Sequence, residues 1–151
     1  MANIIIVDDE QSYRQLLTLV FEEEGHDVRT AMNGRQALEA FAERPAEVIV
    51  SDVKMPDMDG IEMLRAVRET QPDVGVVLMT AFASVDTARE AFKLGADDFI
   101  TKPFDVEELK LIVRKTLEKQ ELIAENQAFK RAQRERGSVS NIIGTSAKMQ
   151  A

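Results

Sequence analysis

Three short apolar runs constrain this chain most: Ile4-Ile5-Ile6-Val7, Val48-Ile49-Val50 and Val76-Val77-Leu78-Met79. Each is continuous rather than alternating, the pattern of a strand buried on both faces. Two less apolar stretches, Val28 to Ala31 and Asp98 to Thr101, suit the edges of the same sheet. Helical stripes lie between the runs. Leu16, Leu17, Val20 and Phe21 form one, which Gly25 ends. Ala37, Leu38 and Phe41 form a second, before Pro45. Ile61, Leu64 and Val67 form a third behind Asp59, an N-cap with Glu62 placed to complete a capping box. Ser84 is placed to cap a fourth through Ala88, Ala91 and Phe92, ended by Gly95, and Asp105 a fifth, with Glu108 completing its box.

Five strands alternating with five helices predict an α/β fold, a doubly wound parallel sheet with helices on both faces. Right-handed crossovers prune the topologies. The three strongly apolar strands belong in the centre, which gives the flavodoxin-like order 2-1-3-4-5 with a C-terminal helical extension. The expected boundaries are a first domain over 1–117, an extended helix or linker over 118–137 ended by Gly137-Ser138, and the start of a further domain over 138–151. In the linker, Leu122 and Phe129 stand one heptad apart, but Lys119 and Asn126 would occupy core positions. Coiled-coil pairing and a solvated extension both stay open.

Composition removes several kinds of chemistry. The chain has no cysteine and one histidine, which excludes disulfide scaffolds, thiolate zinc sites and cysteine nucleophiles and leaves no histidine metal cluster. No apolar run approaches the roughly 18 residues of a membrane span, and no signal peptide is visible, so a cytoplasmic protein without membrane contact is expected. Residues 1–117 carry 23 acidic against 13 basic side chains, which argues against direct nucleic-acid binding.

The unusual polar residues fall at strand ends. Asp8 and Asp9 follow the first strand, Asp52 the third, Thr80 ends the fourth and Lys102 follows the fifth. A parallel sheet brings these ends to one edge, beside the point where strand order reverses. Each acid alone reads as the cap of a βα loop; all five positions converging on one edge do not. Three carboxylates repel one another, and Lys102 offsets only one charge. An oxygen-only donor set fits Mg²⁺ rather than zinc or copper. A carboxylate can attack phosphorus to give an aspartyl phosphate, and Asp52, on a central strand, is the best placed nucleophile. Lys102 can reach a phosphoryl oxygen and the Thr80 hydroxyl can donate to another. Pro103 is the candidate for a cis peptide, which would aim Lys102 into the site. Asp57 and Asp59 read as turn and cap residues, His26 as a surface residue, and Tyr13 as packing.

IIIVDDE, SDVKMPDMDG, MTAFAS and GADDFITKPF resemble the four signature segments of bacterial response-regulator receiver domains, over about residues 1–120. The resemblance implies that Asp52 is the phosphoacceptor, charged by a sensor histidine kinase. It implies that Asp9, Asp52 and the backbone carbonyl of Lys54 bind Mg²⁺, with Asp8 acting mainly through water. It implies a Thr80/Phe99 switch pair and a Lys102 contact to the phosphoryl group. The long helix followed by IIGTSAKMQ is similar to NtrC-like activators, in which such a segment opens an AAA+ ATPase that works with sigma-54 RNA polymerase. The expected function is therefore a phosphorylation-controlled switch in transcription regulation. It would be no enzyme beyond its own phosphorylation and slow self-dephosphorylation. It would pair as a homodimer through the fourth helix, fifth strand, fifth helix and linker. The competing reading from the acid pocket is a Mg²⁺-dependent small-molecule phosphohydrolase, against which stands Lys54 where a general acid would follow the nucleophile. A flavin-binding module is disfavoured by the acidic loop after the first strand.

Overall fold

A computed structural model describes residues 2–81 and 84–140, with side chains described as far as 123 and at 125–126. The final segment, including the IIGTSAKMQ stretch, lies outside the described residues. The elements run β1 (Asn3–Val7), α1 (Gln11–Glu23), β2 (Asp27–Ala31), α2 (Gly34–Glu43), β3 (Val48–Asp52), α3 (Gly60–Thr70), β4 (Gly75–Thr80), α4 (Val85–Lys93), β5 (Asp98–Thr101) and α5 (Val106–Ser140). All strand pairs are parallel, in the order β2-β1-β3-β4-β5. This is the flavodoxin-like order, with β3 and β4 buried along their whole length. The chain divides into two compact units, Met1–Gln120 and Glu121–Ala151.

Two apolar layers sandwich the sheet. Alternate strand residues Ile4, Ile6, Val48, Val50, Val77 and Met79 pack with Leu17 and Phe21 of α1 and Leu109 and Val113 of α5. Their neighbours Ile5, Val7, Ile49, Val76 and Leu78 pack with Phe41 of α2 and Met63, Leu64 and Val67 of α3. The period of two along each strand thus supplies both layers. α4 contributes one buried residue, Ala91, while Val85 and Phe92 stay exposed.

The caps follow the sequence reading. Asp59 forms a capping box with Glu62, and the Ser84 hydroxyl accepts from the Thr87 N–H. Asp105 accepts from the Glu107 N–H rather than forming a box with Glu108 among the bonds found. Gly25 and Gly95 take positive φ at the ends of α1 and α4. One boundary differs: Gly137 does not end the last helix, which continues to Ser140. A lone glycine weakens a helix by only about 1 kcal/mol, too little to stop one.

Gly60 fixes where α3 begins relative to β3. A Cβ there would lie 2.3 Å from the Asp52 carbonyl oxygen, and the Gly60 N–H donates to the Val53 carbonyl at 2.9 Å. The obstacle is backbone, so it cannot swing aside. Gly60→Ala is expected to destabilise the domain by about 2 kcal/mol despite alanine's better helix propensity. Urea unfolding checks this; equal or greater stability would show that the contact relaxes freely.

Candidate functional site

β1, β3, β4 and β5 deliver their C-terminal ends to one edge. Asp8 comes directly after β1, Asp52 closes β3, Thr80 closes β4 and Lys102 comes directly after β5. The order reverses between β1 and β3, and the crevice that opens there is where such sheets bind ligands. Lys102 Nζ donates to Asp8 Oδ2 at 2.7 Å and to Asp52 Oδ2 at 2.9 Å. Asp8 is 0% exposed, Asp52 5% and Lys102 7%, so this junction has little contact with solvent. Asp9 is exposed, yet one oxygen from each of Asp8, Asp9 and Asp52 lies within 4.8 Å of the others.

Backbone contacts hold these groups in place. The Glu10 N–H donates to Asp8 Oδ1 at 2.9 Å, and Arg14 Nη1 donates to the Asp8 carbonyl at 2.7 Å, tying the acidic loop to α1. The Lys54 N–H donates to Asp52 Oδ1 at 3.3 Å, while the Lys54 side chain is exposed. The Lys102 N–H donates to the Thr80 carbonyl at 2.8 Å, and Thr80 is itself buried. The Lys102–Pro103 peptide is cis. Phe99 sits half-buried opposite Leu78 and packs on the α2/α3 side of the sheet.

Electrostatics in the site do not balance: three carboxylates meet one ammonium. Burial pushes the Asp8 carboxyl above the usual carboxylate range, and the hydrogen bonds from Lys102 and the Glu10 N–H only partly offset this. Burial works against the Lys102 ammonium, but its hydrogen bonds to Asp8 and Asp52 prevail and hold its pKa above the ordinary lysine value. The remaining negative charge and the all-oxygen donor set suit a hard divalent cation.

Other residues fall outside this cluster. Asp57 has φ 71° and makes a two-pronged ion pair with Arg35 at 2.9 and 3.1 Å, a turn residue as expected. His26, expected at the surface, is half-buried: its Nδ1 accepts from the Ala2 N–H at 3.2 Å, and its ring meets Phe21. Burial lowers its pKa, and the positive N-terminus lowers it further. Tyr13, expected only to pack, places its ring 3.9 Å from Lys102 Nζ. Nothing in the spacing of Tyr13 signals that contact; it depends on the first turn of α1 facing the end of β5.

Residues 4–114 match the response regulator receiver domain family. The chain belongs to that family. It is 44% identical over 119 residues to the regulatory protein AtoC of Escherichia coli K12, covering 79% of this chain and 26% of AtoC. It is 36% identical over 149 residues to the DNA-binding transcriptional regulator NtrC of Proteus hauseri, covering 98% of this chain and 31% of NtrC. The solution structure of a beryllofluoride-activated NtrC4 receiver domain dimer superposes with a TM-score of 0.74 at 40% identity, over 78% of this chain and 98% of that one. The chain thus spans about a quarter to a third of the length of these two curated relatives. Among the described residues no helix is long and apolar enough to cross a membrane.

The raised Asp8 pKa has a sign that can be checked. Folding buries Asp8 and raises its pKa, so the unfolded chain ionises this carboxyl first and the residue costs stability as pH rises from the ordinary carboxylate pKa through the folded one. Removing one partner of a buried pair usually destabilises, but here Lys102 keeps Asp52 and a carboxylate repulsion is relieved. Asp8→Asn is therefore expected to stabilise the metal-free protein at neutral pH by on the order of 1 kcal/mol. The gain should vanish in acid below the usual carboxylate pKa. Thermal unfolding across pH checks this; a loss of stability at neutral pH would mean that the Lys102 bond outweighs the burial cost.

Proposed function

We propose that this chain is a phosphoacceptor switch: Asp52 takes a phosphoryl group from a phosphohistidine on a sensor kinase, and the change of charge resets a neighbouring surface. The observation that supports this reading most is the convergence of Asp8, Asp9, Asp52 and Lys102 at one sheet edge. In the transfer, an Asp52 carboxylate oxygen attacks phosphorus, the P–N bond breaks, and its electron pair returns to the imidazole. With the other ring nitrogen protonated in the donor, the products are an acyl phosphate on Asp52 and a neutral histidine on the kinase. Asp9, Asp52 and the Lys54 carbonyl would hold Mg²⁺, with Asp8 acting mainly through water. Bound there, Mg²⁺ supplies positive charge that lets an anionic donor approach three carboxylates.

Lys102 then shifts its bond from Asp52 to a phosphoryl oxygen, and the Thr80 hydroxyl donates to another. Thr80 and Phe99 are the switch pair. Phe99 has no hydroxyl, so it reports by the burial or exposure of its ring. The surface altered is that of α4, β5 and α5, through which two copies pair. The relative AtoC is a regulatory protein and NtrC a DNA-binding transcriptional regulator by name, and the activated NtrC4 receiver is a dimer. Taken with the NtrC-like resemblance of the segment after the long helix, this supports a role in controlling the assembly of a downstream transcription-activating ATPase. It acts in the cytoplasm and contacts no nucleic acid itself. It turns over no external substrate, only its own phosphorylation and slow hydrolysis. Small-molecule phosphohydrolysis fits less well, because Lys54 stands where a general acid would have to be.

Intact mass after incubation with Mg²⁺ and acetyl phosphate tests this. Wild type is expected to gain one phosphoryl group, and Asp52→Asn none. Equal gain in Asp52→Asn would overturn the assignment of the acceptor. Beryllofluoride with Mg²⁺ is expected to shift the dimer equilibrium measured by light scattering in wild type and not in Asp52→Asn.

A further inference from the structure

Tyr13 lies on the first turn of α1, at the rim of the acid cluster. Its ring centroid is 3.9 Å from Lys102 Nζ, so the ammonium stands over the face of the ring. Lys102 has three N–H donors. Two of them serve Asp8 and Asp52 at 2.7 and 2.9 Å. The ring face lies close to the same Nζ and is a third partner for it. The ring is itself supported: Phe104 lies 5.9 Å away, tilted by 46°, and both rings are half-buried. Phe104 follows the cis Lys102–Pro103 peptide, so the ring that supports Tyr13 is carried by the same short segment that carries the lysine.

We propose that Tyr13 is a positioning residue for Lys102: its π face keeps the ammonium at the phosphoryl site when Asp52 exchanges its ion pair for an acyl phosphate. The inference rests on the phosphoacceptor reading above. An ammonium shared by two carboxylates loses one of them at the moment of transfer. Its alternatives are solvent, Asp8 alone, or the incoming phosphoryl oxygen. A ring face is attractive to the cation without offering a lone pair that competes with that oxygen. It therefore narrows the positions open to Nζ and leaves a donor free for the phosphoryl group. Tyr13 does this through its ring, so its hydroxyl is dispensable.

The test uses the whole chain, with acetyl phosphate as donor so that no kinase surface is involved. Tyr13→Leu keeps an apolar side chain of moderate size but has no π face; Tyr13→Phe keeps the face and drops the hydroxyl. The rate of phosphoryl uptake at saturating Mg²⁺ is expected to fall about five- to tenfold in Tyr13→Leu and to stay within about twofold of wild type in Tyr13→Phe. A second readout needs neither metal nor phosphate: the Lys102 ε-methylene protons, over the ring face, should show an upfield ring-current shift by NMR. That shift should persist in Tyr13→Phe and disappear in Tyr13→Leu. Uptake by Tyr13→Leu at the wild-type rate, or a slowed Tyr13→Phe, would overturn the positioning role while leaving Asp52 as acceptor. No uptake by wild type would overturn the phosphoacceptor reading and this role with it. Absence of the ring-current shift in folded wild type would overturn the contact and the positioning role with it, while leaving Asp52 as acceptor.

Discussion

A single buried ammonium holds together the end of the sheet. Lys102 reaches Asp8 across 94 residues of sequence and Asp52 across 50, and each bond lies where solvent screening is weak. Buried charges are expensive unless paired and hydrogen-bonded. The pairing here is incomplete by design of the donor count, because Asp9 adds a third carboxylate within reach of the other two. The parallel sheet makes this concentration of charge feasible. Its continuous apolar strands bury enough surface on both faces to hold an unfavourable cluster at one edge. The close approach of Gly60 to the Asp52 backbone serves the same end, since it lets α3 start directly beneath the acid.

The helices around the sheet are not equally anchored. α1 and α5 drive Leu17, Phe21, Leu109 and Val113 into one layer, and α3 drives Met63, Leu64 and Val67 into the other. α4 buries Ala91 alone. A helix with so little apolar surface at stake has the least to lose on shifting. β5 beside it contributes one buried side chain, Ile100, and carries Phe99 on the side facing α2 and α3. The site therefore sits against the most weakly held part of the sandwich. On the opposite side, Arg68 counters this at the far edge of the sheet. It bridges the end of α3 to the Gly95 carbonyl at 2.6 Å and to Asp97 at 3.1 Å, and Lys119 of α5 meets Asp97 at 2.8 Å. The lower end of β5 is thus clasped while the upper end, where Lys102 follows, faces the cluster.

What could be read in the sequence was whatever depends on local pattern or on topology. Continuous β-branched runs located β1, β3 and β4, and the caps at Asp59 and Ser84 located two helix starts. Once strand order was known, the convergence of Asp8, Asp52, Thr80 and Lys102 followed, because parallel strands share an edge. Contacts that depend on side-chain direction did not follow. Tyr13 on α1 and Lys102 after β5 have no common periodicity, and a tyrosine on a helix reads equally well as packing. Arg68 likewise reads as a charged residue near a helix end, although it is a clasp with several carbonyl partners. His26 looked like loop surface because Ala2, whose N–H donates to its ring, is brought to it only by β1 pairing with β2. Gly137 shows the reverse error: a lone glycine is a weak stop signal, and the helix runs past it to Ser140.

On the phosphoacceptor reading, the imbalance of charge lets the site act as a switch rather than as a fixed ion pair. Were Asp52 matched one to one with Lys102, modifying it would leave the lysine buried and unpaired, at a cost that opposes the modification. Asp8 removes that obstacle, since it holds the same ammonium at 2.7 Å whatever happens to Asp52. The Tyr13 ring adds a neutral partner on another side of the lysine. On the phosphoacceptor reading, Lys102 is then free to follow the new phosphoryl oxygens without leaving the site. Its backbone N–H, bonded to the Thr80 carbonyl, couples that movement to the end of β4. On that reading Thr80 and the lysine respond together through this backbone bond, and β5, which pairs with β4, carries Phe99 into the lysine's segment.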